Sequence, residues 1–90
     1  METFESIWDA IEPPEHAEHM KARADVMFAV VERISALELS PAEAADRLGV
    51  KRSRIYELQA GKVNLFSLDK LVDFAARLGI HIQVITTGAA

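Results

Sequence analysis

SPAEAADRLGVKRSRIYELQAGK, running from Ser40 to Lys62, holds two short helical patterns separated by a glycine. Ser40-Pro41-Ala42-Glu43 is a helix start. Serine suits the cap, proline suits the first helical position where no amide hydrogen is needed, and a glutamate three residues on can reach back to the cap amide. The helix so begun carries Ala44, Ala45 and Leu48 and ends at Gly49, a residue type that tolerates positive φ. A second helix is expected from about Arg52 to Gln59, burying Ile55 and Leu58 and ending at Gly61. Two helices joined by so short a turn must cross steeply. Ala45 supplies the small residue where they approach, and Val50, Ile55 and Leu58 anchor the second helix. Arg52, Ser53, Tyr56 and Glu57 are left facing outward.

Around this stretch the chain reads as mainly α. An acidic lead-in, residues 1–13, spaces Phe4, Ile7, Trp8 and Ile11 on one face of a short helix, stopped by Pro13 and Pro14. A long helix from about Pro14 to Leu37 carries an apolar stripe through Met20, Ala24, Met27, Val31 and Ile34, widened by Phe28 and Leu37. A loop from Lys62 to Phe66 leads to the cap Ser67. The next helix, from Leu68 to Leu78, is expected to bury Leu68, Leu71, Val72, Ala75 and Leu78. Residues 14–79 thus form one helix-turn-helix domain. In residues 80–90 the period changes: Ile80, Ile82 and Val84 alternate with His81 and Gln83, which predicts a strand. The total is about five helices and one C-terminal strand. A lone strand leaves its amides unpaired, so pairing with a second copy about a two-fold axis is expected, with Ile80, Ile82 and Val84 at the dimer interface.

Ninety residues, half of them apolar, make one small domain. The absence of cysteine excludes disulfides, thiolate zinc sites and a cysteine nucleophile. No apolar run is long enough to span a bilayer, and the acidic N-terminus lacks the basic region of a secretory signal, so a cytoplasmic location is expected. His16 and His19 lie three apart near acidic residues, a spacing better read as an exposed helix than as a zinc site. No nucleophile motif or glycine-rich phosphate loop is present. No enzyme, cofactor or metal is expected.

The net charge of -4 is unevenly spread. The first 32 residues hold eight acids against Lys21 and Arg23, whereas Arg47, Lys51, Arg52, Arg54 and Lys62 face only Glu57 between positions 47 and 62. Salt screens exposed charges beyond about 8 Å, so this local basic patch can attract phosphate on an acidic protein. The outward face of the second short helix suits a major groove. Arginine pairs with guanine O6 and N7, serine with most bases, and glutamate accepts from cytosine N4. Lys51, Arg54 and Lys62 are placed for backbone phosphates, which fix orientation rather than sequence.

The run from Glu38 to Ile80, with its A-x-x-x-G-V pattern at Ala45 to Val50 and G-K-x-x-x-F-S-L-D-x-L from Gly61 to Leu71, resembles the XRE family of phage-repressor-like helix-turn-helix proteins. With SIWDAIEPPEHAEHMKARADVMFAVVERI before it, the chain is similar to the short HigA-type antitoxins. That resemblance implies a dimer bound to a double-stranded operator in its own promoter, acting as a transcriptional repressor and neutralising a RelE-like ribonuclease toxin. Arg52, Ser53 and Glu57 fall where family members contact bases; Lys51, Arg54 and Lys62 fall near phosphate-contacting positions. Two residues depart from the pattern. Pro41 stands where many relatives have a phosphate-touching glutamine, and it offers no donor. Lys51 stands where many relatives have a capping serine or threonine, and it cannot accept the capping bond. Phe4, Ile7, Trp8 and Ile11 are either core or a hydrophobic anchor for a basic toxin. The alternatives are a stand-alone XRE-type regulator and a protein-interaction module that does not bind DNA.

Overall fold

The computed structural model describes residues 14–88, which hold four α-helices: α1 Pro14–Ala36, α2 Pro41–Leu48, α3 Arg52–Gln59 and α4 Leu68–Arg77, with a 3-10 turn at Val63–Leu65 before α4. The helix expected around Phe4, Ile7, Trp8 and Ile11 lies outside the described residues. α1 packs chiefly on α4, α2 packs on α3, and α1 also meets α3 and the 3-10 turn. The core they enclose contains Met27, Val30 and Ile34 of α1, Ala44, Ala45 and Leu48 of α2, Ile55 and Leu58 of α3, Phe66, and Leu71, Phe74, Ala75 and Leu78 around α4. Arg33 ties the ends of α1 and α4 together, its Nε donating to the Leu78 carbonyl at 3.1 Å. None of these helices is long and apolar enough to cross a membrane.

All four helices stop in the same way. A residue with positive φ follows each one: Glu38 (55°), Gly49 (69°), Gly61 (75°) and Gly79 (78°). Its N–H and that of its successor turn back onto carbonyls of the last helical turn. After α2, Gly49 N–H reaches Asp46 O at 3.3 Å and Val50 N–H reaches Ala45 O at 3.0 Å. This closure satisfies carbonyls that the helix leaves open, and it is commonly locked by an apolar successor. Leu39, Val50 and Ile80 are such successors, each packed against the core. After α3 the successor is Lys62, which is exposed.

The structure corrects several expectations. On α1, Met27 and Ile34 are buried as predicted, but Val30 joins them, Val31 is half-buried, and Ala24 and Phe28 are exposed, Phe28 at 65%. The segment Val26 to Val31 is apolar all round, so its period does not select a face; the docking of α4 does. On α4, Phe74 rather than Val72 is buried. Positions 71, 74, 75 and 78 share one face of the helix, and Val72 stands off it. Phe66, expected in a loop, is buried edge-on against Phe74, with ring centroids 6.1 Å apart. The C-terminal strand is not found. Residues 81–88 take no regular structure, because a ladder needs a partner and the described residues present none there. Ile80 is half-buried on its own core as the lock of the α4 end, whereas Ile82 and Val84 are exposed.

Candidate nucleic-acid interface

α2 is built to position α3. The Ser40 hydroxyl accepts from Glu43 N–H at 3.1 Å, and the Ser40 N–H donates to Glu43 Oε1 at 2.9 Å. The reciprocal pair closes the start of α2. The Ser40 N–H that donates to the carboxylate, then the Ser40 hydroxyl beside it, hold the Glu43 carboxyl below its ordinary 4.5. At the far end a side chain at Gly49 would be strained by the backbone, at φ 69°, although it would meet nothing nearer than the Arg77 guanidinium at 3.7 Å. The sharp turn there lets α3 pack back on α2, where Ala45 is buried.

α3 is then held from beneath and left open above. Ile55 and Leu58 are 0% and 1% exposed. Lys51, Arg52, Ser53, Arg54 and Tyr56 are exposed, and Glu57 is half-exposed. Val50, Lys51, Ser53, Arg54 and Glu57 line one open depression. Lys51 stands at the cap position of α3 and makes no side-chain capping bond. The first amides of α3 are thus not satisfied by a side chain at the cap, a state in which a helix start favours an anion. Lys62 projects from the opposite end of α3. Every residue that the sequence assigns to DNA contact is therefore on or beside one exposed helix.

Two residues behave differently from their sequence reading, or were missed by it. Arg54 does not extend freely: its Nη1 donates to Glu57 Oε1 at 2.9 Å, and its guanidinium lies over the Phe66 ring, 5.7 Å from the centroid. Lys70, not singled out in the sequence, lies over the Phe74 ring at 6.0 Å and lines a groove with Arg54, Leu65 and Phe66. Its sequence signal is a cation four residues before an aromatic, just inside the Ser67 cap, whose hydroxyl accepts from Lys70 N–H at 3.1 Å. The basic surface thus continues from α3 across to the start of α4.

A family model described as a helix-turn-helix domain matches residues 12–86. Comparison with curated proteins returns no match. The match spans most of the chain and covers α1 to α4 together, with the two-helix unit and its exposed basic face inside it; the chain belongs to the helix-turn-helix domain family.

Proposed function

We propose that the protein is a sequence-specific transcriptional repressor that inserts α3 into the major groove of double-stranded DNA. The observation that carries this reading is the two-sidedness of α3: Ile55 and Leu58 are fully buried while Lys51, Arg52, Ser53 and Tyr56 face solvent on a rigidly seated helix. Arg52 and Ser53 read base edges, and Lys51 and Lys62 hold phosphates. The position of Lys62 favours this role, since it takes the place that a core residue fills after the other three helices.

The protein acts as a homodimer, and the exposed Ile82, Val84 and Ile85 support this. Paired about a two-fold axis, the two tails would set two copies of α3 about 34 Å apart, one turn of DNA. On the resemblance to HigA-type antitoxins, the partner beyond DNA is a basic RelE-like toxin, met by the acidic N-terminal segment with Phe4, Ile7, Trp8 and Ile11.

The test is binding to the protein's own promoter as a function of salt. Affinity should fall steeply as salt rises, because phosphate contacts release counterions. Arg52→Ala should lose roughly 1–3 kcal/mol on the preferred site and little on random duplex. Lys62→Ala should weaken both alike and lower the salt slope by about 1. Binding that ignores salt and sequence would defeat the DNA reading. Removal of residues 82–90 spares Ile80 and should leave a folded monomer with weaker operator binding; a truncated dimer by sedimentation would defeat the tail-pairing reading. A small basic protein encoded beside this one, co-purifying with it, is the outcome expected of an antitoxin.

A further inference from the structure

We propose that Arg54 is a positioning residue for Glu57, and that the two form one base-reading unit directed at an exocyclic amino group, cytosine N4 foremost. The inference rests on the reading of α3 as the groove-inserted helix, and it replaces the phosphate role that the sequence gives to Arg54.

The geometry separates Arg54 from the other cations of the site. Lys51, Arg52 and Lys62 make no side-chain hydrogen bond or ion pair among the described residues. Arg54 is held at two points: Nη1 on Glu57 Oε1 at 2.9 Å, and the guanidinium plane over Phe66 at 5.7 Å. Phe66 is itself fixed, 4% exposed and edge-on to the buried Phe74. A phosphate ligand needs a reach that such an anchored side chain has given up.

Glu57 gains what Arg54 gives up. An exposed pair three residues apart on a helix is weak alone, and a free glutamate samples many rotamers. Anchoring its partner on a core aromatic narrows that freedom. A bare carboxylate in a groove walled by phosphates is also repelled, and the adjacent guanidinium offsets that repulsion locally. One carboxylate oxygen, Oε1, is taken by Arg54. The other, Oε2, has no hydrogen-bond partner among the described residues and can only accept. An acceptor in the major groove selects a base amino group, which cytosine presents at N4.

The experiment is selection of duplexes from a randomised DNA library by the full-length protein, followed by affinity and salt dependence on the selected site and on its single-base variants. The wild type should prefer cytosine at one position of each half-site. Glu57→Gln and Arg54→Gln should each reduce that preference about tenfold, and the double variant should reduce it no further. Preferences at the other positions should stay, which a general loss of fold would not allow. Arg54→Gln should leave the salt slope nearly as it was. Arg54→Lys keeps the charge but not the planar fork, and should also lose the preference. If Arg54→Gln lowers the slope by about 1 and spares the base preference, or if Arg54→Lys matches the wild type, Arg54 is a phosphate ligand and the inference is overturned. A wild type that selects no site at all overturns the DNA reading beneath it instead.

Discussion

α2 and α3 are both eight-residue helices, they pack on each other, and both end in the same left-handed closure. They differ at their starts. α2 opens on a reciprocal Ser40–Glu43 pair with Pro41 behind the cap. α3 opens on Lys51, with no side chain accepting from its first amides. α2 therefore carries its own local stability, whereas α3 depends on the core beneath it and on whatever occupies its exposed side. The helix proposed to enter DNA is thus the one of the pair whose start lacks a side-chain cap.

The comparison breaks most directly at Ile55, which is wholly buried. Ile55→Ala should cost roughly 2–5 kcal/mol by chemical denaturation, and should abolish DNA binding along with the fold. A loss under 1 kcal/mol would show that α3 does not lean on the core. Next is Ser40→Ala, which removes the cap of α2 and should cost about 1 kcal/mol, with the folded protein still binding DNA. The complementary change, Lys51→Ser, gives α3 the cap that α2 already has. It should add roughly 0.5–1 kcal/mol to stability while weakening DNA binding at low salt. Stability unchanged, with binding intact, would mean that the open start of α3 has no consequence.

The smallest effect is acid dependence. The Glu43 carboxyl is held below its ordinary 4.5, so its ionised form is favoured in the folded chain. Its contribution is therefore present in full above the unfolded value and is lost as pH falls through the lower folded value. The melting temperature of Glu43→Gln should lie below that of the wild type near neutral pH and converge with it in acid below the folded value. A difference that persists unchanged in acid would assign the effect to packing rather than to the carboxylate.

These contrasts also explain what the sequence could reveal. The Ser40 cap with Pro41 and Glu43, the turn at Gly49 and the anchors Ile55 and Leu58 were all legible, because each depends on residues within one or two helical turns. The exposure of Arg52, Ser53 and Tyr56 followed from the same periodicity. The buried face of α1 was legible only in part: Met27 and Ile34 were expected in the core, but Val26 to Val31 is apolar on every side and only the docking of α4 selects Val30 over Phe28. Phe66 was hidden for a similar reason: it lies between elements and is buried by contact with Phe74. The contacts of Arg54 were not legible because its partners are an acid three residues along and an aromatic beyond the end of α3, a combination that only the fold assembles. The tail was read as a strand from its alternation, yet alternation indicates only a capacity to pair.

The shared closure of the four helices has a kinetic consequence. Each end is sealed by hydrogen bonds spanning at most five residues, so most of the ordering is local and requires little loop closure. Such a chain is expected to fold in microseconds to milliseconds. The slow element is the junction of α1 with α4, where Arg33 meets the Leu78 carbonyl from 45 residues away. A protein organised this way regains its shape quickly after transient opening, and substitutions at that one junction should alter its folding rate more than changes at any cap.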